Sequence, residues 1–202
     1  KVSTYGSAIY CNYGKYVNIT NCDFTNQNGK YGVVYAIGST ELNIKDSTFT
    51  NNTASEGVIY TNNTYNNIDN VIIKNNTGDA ISITNGSSNI NNVNINSKKD
   101  GIKFNNINGI SVTNSEIYAK NWGIQITGDS SNIRIDNNKI TSEGSSNADG
   151  IKIVTAGKDV IHDINITNNI IKNSQGYGVG IYIITYTPGN IYNVLIDNVN
   201  IS

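Results

Sequence analysis

The chain has 202 residues with 14 basic and 15 acidic side chains, and Asn (38) and Ile (34) are its commonest residues. Leu occurs twice, Pro once and Met never, while Ile, Val and Thr together number 65, so a helical bundle or coiled coil is excluded and an all-β fold is predicted. The lack of a basic excess argues against nucleic acid as a partner, and no apolar run approaches the roughly 20 residues that a membrane span needs.

A first short pattern recurs along the chain, in which a small residue is followed by an apolar, a variable and an apolar residue. Its copies lie at 7–10, 32–35, 57–60, 80–83, 101–104, 123–126, 150–153 and 180–183. Alternation of this kind over a few residues indicates short β-strands. The spacing of 21 to 30 residues between copies is that of a repeat protein.

A second pattern follows each copy of the first and reads apolar, any, Asn or Asp, any, any, apolar. Its third position is always Asn or Asp: Asn21, Asp46, Asn70, Asn92, Asn114, Asn137, Asn168 and Asn198. Asn tolerates left-handed backbone, and its amide can bond to the next Asn of a stack. We therefore expect a bend at each of these positions and a ladder of amides along it.

About three short strands per repeat predict a right-handed parallel β-helix, a solenoid of about eight coils that forms one domain over residues 1–202. Ile and Val are expected to fill the interior in stacked columns. The sequence ends in a predicted strand and neither end has a recognisable cap. We therefore expect flanking coils or caps from a longer parent protein.

The repeats resemble the right-handed parallel β-helix family, the pectate-lyase-like superfamily, over nearly the whole chain. Segments 18–26 and 43–52 are especially similar to repeats of adhesin-like surface proteins of methanogenic archaea. This resemblance implies a secreted or cell-surface rod that contacts glycans or another cell. The superfamily also contains lyases and hydrolases, so the fold alone does not decide the function.

The position just before each first strand carries most of the candidate chemistry. It is occupied in turn by Gly6, Tyr31, Glu56, Asp79, Asp100, Trp122, Asp149 and Val179. The outward strand position that follows is predicted to hold Ile9, Val34, Ile59, Ser82, Lys103, Gln125, Lys152 and Tyr182.

These two columns predict a carbohydrate-binding patch, because carboxylates, ammonium groups and an amide can bond to hydroxyls while an indole packs against a sugar ring. Its members are Asp100, Lys103, Trp122, Gln125, Asp149 and Lys152. The alternative is a purely structural role for each residue, since Asp is common in turns and Lys is ordinary on an exposed strand.

The same stacking predicts a second, apolar strip on the outside. Ile9, Val34 and Ile59 are expected to face outward as a contact surface. Conversely, the tyrosines that follow them (10, 35 and 60) are interpreted as core aromatics.

Catalysis has little support in the sequence. Segment 147–150 resembles the polygalacturonase motif Asn-Thr-Asp-Gly, but the paired acids of that family are missing from the next coil, and glycoside hydrolysis needs two carboxylates. Asp79, Asp100 and Lys103 could form a calcium-dependent lyase site, although Ca²⁺ prefers six to eight oxygen ligands. His162 is the single His of the chain. No cofactor is assigned, and a non-enzymatic role is favoured.

Three functions are therefore compared. The first is an extracellular or cell-surface adhesin-like rod that binds glycans. The second is a polysaccharide lyase or hydrolase of the β-helix superfamily, and the third is a structural spacer without a ligand.

Overall fold

The computed structural model describes residues 6–144, 148–173 and 178–202. These residues form β-strands and no helix, and all the strand pairs are parallel. The prediction of an all-β parallel solenoid is confirmed.

In chain order the strands are β1 (Gly6–Asn12), β2 (Val17–Thr20), β3 (Asp23–Thr25), β4 (Asn28–Gly29), β5 (Gly32–Ile37), β6 (Glu41–Thr50), β7 (Thr53–Ala54), β8 (Ile59–Asn76), β9 (Ile81–Asn91), β10 (Asn94–Ser97), β11 (Ile102–Thr113), β12 (Glu116–Ala119), β13 (Ile124–Thr127), β14 (Ser130–Asp136), β15 (Lys139–Ser142), β16 (Ile151–Val154), β17 (Val160–Thr167), β18 (Ile170–Asn173), β19 (Ile181–Ile184), β20 (Asn190–Asp197) and β21 (Asn200–Ile201).

The strands stack into three faces, each of eight strands or strand segments. Face A contains β1, β5, the first parts of β8, β9 and β11, then β13, β16 and β19. Face B contains β2, the first half of β6, the middle of β8, the later parts of β9 and β11, then β14, β17 and β20. Face C contains β3, the ends of β6 and β8, then β10, β12, β15, β18 and β21.

The interior is built from columns of identical or similar side chains. On face A the column through Ile81, Ile102, Ile124 and Ile151 is fully buried, and faces B and C contribute comparable columns of Ile with Val or Phe. β-branched side chains fit this stacking because they have one strongly preferred rotamer on a pleated surface. The predicted Ile and Val interior is therefore confirmed.

The bend between faces B and C has left-handed backbone in every coil. All eight predicted Asn and Asp positions have φ between 50° and 56°. The amide ladder is present with interruptions: Asn92 donates to Asn70 at 3.2 Å and Asn198 to Asn168 at 2.6 Å, whereas Asn114 bonds to Asn91 in the adjacent column. The sequence prediction for this bend is confirmed.

A second left-handed bend joins faces A and B. Its stacked positions have φ between 49° and 70°, and they are Tyr13, Gly38, Asn63, Asn85, Asn106 and Gly128. Gly and Asn adopt this conformation at low cost, whereas a bulky side chain does not. Tyr13 is therefore the strained member of the column, and its ring lies against Gly38.

Some of the asparagines are inside the solenoid rather than on its surface. Asn52 and Asn76 are buried, as are Asn138 and Asn169 in later coils. Asn169 accepts a bond from the backbone N–H of Asn138 at 2.9 Å and donates to the carbonyl of Ile135 at 2.8 Å. These side chains satisfy backbone groups that the bends leave without a strand partner.

Candidate functional site

Face A has one continuous column of outward side chains. Strand register places eight residues in it, from the first coil to the last: Tyr10, Tyr35, Tyr60, Ser82, Lys103, Gln125, Lys152 and Tyr182. We call this set the outward column of face A. It contains three of the six residues of the predicted patch, and those three are consecutive.

The predicted apolar strip is wrong, and so is the assignment of the tyrosines to the core. Val34 and Ile59 are fully buried and Ile9 packs against the core, whereas Tyr10 is 42% exposed. Ile59 pairs with Ile81 rather than with Ser82. Since strand side chains alternate between faces, this one-residue difference in alignment reverses the inward and outward assignments on face A in the first three coils.

The bend residues contain the signal that would have given the correct register. Three positions before each left-handed residue of the bend between faces A and B lies a member of the outward column. Asn63 thus identifies Tyr60 as a member of the outward column, and Asn85 identifies Ser82. Alignment of the first pattern on its small residue instead gives a register that is one position out of step in the early coils.

The predicted acidic column holds for most of its length. The backbone N–H groups of Ala80, Gly101 and Gly123 donate to the carbonyls of Asp100, Trp122 and Asp149, respectively, so Asp79, Asp100, Trp122 and Asp149 are stacked. Glu56 is not in this column. Val58 donates to the carbonyl of Asp79, which places Gly57 rather than Glu56 opposite that aspartate.

The aspartates of the column lie beneath the surface. Asp100 and Asp149 are each only 4% exposed. Asp100 Oδ1 lies 3.4 Å from the backbone N of Trp122, and Asp149 Oδ1 accepts from the N–H of Val179 at 3.0 Å. Both carboxylates of the predicted patch are thus directed at the backbone of the following coil.

Lys103 bridges two of these buried carboxylates. Its Nζ lies 3.3 Å from Asp79 Oδ2 and 3.9 Å from Asp100 Oδ2. Burial raises the pKa of Asp100, and Asp79 raises it further, while Lys103 lowers it. The ammonium group thus lies between the two carboxylates. The described residues contain no group of three His, Cys, Asp or Glu that could hold a metal.

Trp122 and Lys152 form a cation–π pair further along the face. The Nζ of Lys152 lies 4.1 Å from the centroid of the Trp122 ring and 5.7 Å from that of Tyr182. Burial raises the pKa of Asp149, against the lowering effects of the Val179 N–H and Lys152. The indole predicted to pack on a sugar therefore already has an ammonium group over its ring.

A groove of about 350 Å³ lies in the middle of face A. It forms because Ser82 is the smallest member of the outward column and lies between the larger Tyr60 and Lys103. Its polar and aromatic lining is Glu56, Tyr60, Ser82, Thr84, Lys103, Phe104, Asn105, Gln125 and Thr127. Of the predicted patch, Lys103 and Gln125 line this groove.

Tyrosine rings of successive coils, tilted by 32–34° to one another, extend from the groove toward the first coil. The ring centroids of Tyr60 and Tyr35 are 5.1 Å apart, and those of Tyr35 and Tyr10 are 5.4 Å apart. Tyr31 stacks on Tyr35 from the side at 5.2 Å. Burial raises the pKa of Tyr60, and Glu56 and Tyr31 raise it further, so its phenol is a neutral hydrogen-bonding group at pH 7. We call Tyr10, Tyr35 and Tyr60 the tyrosine ladder.

Face C has a second groove, of about 390 Å³, which includes Asn96 and Tyr118. Its charged groups are largely paired with one another. Lys139 Nζ lies 2.6 Å from Glu116 Oε1, and the Tyr118 hydroxyl bonds to Glu143. Glu116, Tyr118 and Lys139 of this groove are thus bonded within the protein.

The remaining reactive side chains lie away from both grooves. His162 is on face B, where its Nδ1 lies 2.7 Å from Asp163 Oδ2 and its ring stacks on Tyr192. Cys11 and Cys22 are free thiols, half-buried against the core. Asn147, the first residue of the polygalacturonase-like motif, lies outside the described residues.

Residues 56–201 match the family model described as a right handed beta helix region. The chain belongs to the right-handed β-helix family. Comparison with the curated proteins and with the solved structures gave no match. In the described part of this β-helix protein, no helix is long and apolar enough to cross a membrane. This membership confirms the predicted parallel β-helix repeat protein.

Proposed function

We propose that this β-helix protein is an extracellular or cell-surface binding rod whose face A binds carbohydrate. The observation that carries the proposal is the groove on face A, bounded by Tyr60 on one side and Lys103 on the other. A site of this kind combines an apolar wall with a few convergent polar groups, as saccharide sites require.

The lining of the groove supplies the hydrogen bonds that a sugar needs. Asn105 and Gln125 offer amides, Thr84 offers a hydroxyl and Glu56 offers a carboxylate. Thr127 Oγ1 lies within hydrogen-bond distance of the side-chain Oδ1 of Asn105, at 3.2 Å. Donors and acceptors held on rigid strands lose little entropy on binding, because their backbone is already ordered.

The proposed surface location rests on the resemblance of segments 18–26 and 43–52 to adhesin repeats. A solenoid supports such a role because each coil contacts only its neighbours and the faces extend along the axis. Side chains held on such a face can bind a ligand without a catalytic centre.

Blocking the groove tests the proposal directly. Ser82→Tyr would place in the gap the same residue type that precedes it in the outward column, without entering the core. We expect glycan-array and calorimetric binding of the wild type, and at least a tenfold loss of affinity in the Ser82→Tyr protein. Asn96→Tyr is the matched control, since it adds the same ring on face C opposite Tyr118.

The outcomes separate the candidate functions. Loss of binding in Asn96→Tyr but not in Ser82→Tyr would move the site to face C. If no glycan binds, the structural spacer is the candidate function that remains. Polysaccharide cleavage would favour the enzyme, if new reducing or unsaturated ends appear and are lost in Asp100→Asn. The observation that supports this alternative is the raised pKa of Asp100 beside Lys103.

A further inference from the structure

The groove and the tyrosine ladder form one continuous track on face A. Tyr60 lines the groove and is also the last ring of the ladder. The next rings, Tyr35 and Tyr10, follow in the same column toward the first coil. A ligand that leaves the groove along the solenoid axis therefore moves directly onto aromatic side chains.

The ladder is a rigid platform rather than three independent rings. Tyr35 is 7% exposed, and its ring contacts those of Tyr10, Tyr31 and Tyr60. Tyr10, at the end of the ladder, is 42% exposed. The rings are 5.1–5.4 Å apart, close to the length of one extended pyranose unit, so successive sugars along the axis would meet successive coils.

The charges along this track do not favour an anionic ligand. Glu56 lines the groove, and Asp79 and Asp100 lie under its Lys103. Among the described residues, Lys103 is the single cation of the groove lining, and Lys30 lies beside the ladder with its Nζ 5.5 Å from the Tyr31 centroid. Three carboxylates against two ammonium groups leave this track without the cationic excess that would hold the regularly spaced acids of a uronate polymer.

We infer that the ligand is an uncharged saccharide polymer that lies along the axis, from the groove at Ser82 onto the tyrosine ladder as far as Tyr10. This inference rests on the proposed function and specifies its substrate class and its direction. Three coils separate Ser82 from Tyr10, which is about 14 Å at the usual spacing between strands. A short oligosaccharide in the groove would not reach Tyr10, whereas a hexasaccharide would.

The test uses length series of neutral and acidic oligosaccharides with the whole chain. The neutral probes are cello-, xylo-, manno- and chito-oligosaccharides of two to six units, and the acidic probes are galacturonate and mannuronate oligomers of the same lengths. Calorimetry should show at least tenfold tighter binding of a neutral hexamer than of its dimer, and weaker binding of the uronate hexamers.

Two variants locate the length dependence. Tyr10→Ala should weaken binding of the neutral hexamer about tenfold and leave the dimer unchanged. A merely structural effect would instead reduce both. Tyr65→Ala is the matched control, because Tyr65 is 45% exposed but lies on face B.

Each outcome has a distinct meaning. If no oligosaccharide of either class binds, the proposed function fails and this inference fails with it. If uronate oligomers bind as tightly as neutral ones, or if Tyr10→Ala affects dimer and hexamer equally, the inference is overturned while carbohydrate binding by face A stands.

Discussion

The Asn137 side chain donates a hydrogen bond to Asn114 Oδ1 in the preceding coil, with an Nδ2–Oδ1 distance of 2.8 Å. Both residues have left-handed backbone, with φ of 56° and 52°. One residue type therefore meets two requirements of the bend between faces B and C: it tolerates positive φ, and its amide is both donor and acceptor. This relationship explains why Asn rather than Gly recurs at this bend.

Replacing a bend asparagine should separate these two contributions. Asn114→Ala should lower the free energy of unfolding by about 2 kcal/mol, since a Cβ without a polar group is disfavoured at positive φ and the ladder bonds are lost. Asn114→Gly should cost about 1 kcal/mol, because only the bonds are lost. Denaturant unfolding gives both values. Asn96→Ala, at an exposed strand position, is the control, and equal losses at 96 and 114 would contradict the explanation.

Tyr13 offers a change in the opposite direction. Its φ of 53° occurs in a column that otherwise contains Asn and Gly, and its side chain is 74% exposed, so little packing depends on it. Tyr13→Asn should therefore stabilise the protein by about 1 kcal/mol. Thermal unfolding measures the effect. Tyr65→Asn, in a strand, should destabilise, because Asn fits a strand poorly. A loss of stability in both variants would refute the assignment of strain to Tyr13.

Thr61 is a second site at which stability should increase. Its hydroxyl is fully buried, and in the described part of the chain it has no hydrogen-bond partner. Thr61→Val keeps the shape and removes the unsatisfied group, so we expect a gain of about 1 kcal/mol in chemical unfolding. Thr127→Val should show no such gain, because the Thr127 hydroxyl donates to the Phe104 carbonyl at 3.2 Å.

Two aspartates should give opposite pH dependences of stability. The pKa of Asp100 is raised in the folded protein, chiefly by burial, so its ionised form is disfavoured there. Its contribution to stability therefore falls as pH rises from the ordinary value of 3.8 through the folded pKa. Asp100→Asn removes this titration, and its stability relative to wild type should increase over that pH range.

Asp136 provides the comparison. Hydrogen bonds from Thr167 and Asn168 lower its pKa, so its stabilising contribution is present above 3.8 and is lost as pH falls through the folded pKa. Asp136→Asn should be less stable than wild type at neutral pH and should approach it in acid. Unfolding measured in urea at a series of pH values tests both variants, and slopes of the same sign would contradict the two environments described.

The sequence predicted the bends and the interior because each of these features repeats with a local chemical requirement. Ile at 81, 102 and 124 and Asn at 114 follow from stacking and from positive φ. The assignment of outward and inward positions in the first three coils failed at Ile59 and Tyr60. Both residues are apolar enough for the core, so hydrophobicity could not choose between two registers that differ by one residue.

The candidate site was only partly accessible to sequence reasoning for the same reason. Lys103, Gln125 and Lys152 were placed in one column because later coils share a constant register. The groove depends on Ser82 being small beside Tyr60, and that pairing appears only when the register is correct. The burial of Asp100 depends on how the next coil's backbone covers it, which no spacing in the sequence expresses.

The constant stacking of face A has an evolutionary consequence. Because a coil pairs only with the coils above and below it, duplication of a stretch of about one coil would insert another rung of about 4.8 Å without redesign of the interior. Under the proposed mode of binding, each such insertion would lengthen the track by about one sugar unit. Selectivity for chain length could thus change by gain or loss of whole coils, while point substitutions in the outward column would alter which monomer is preferred.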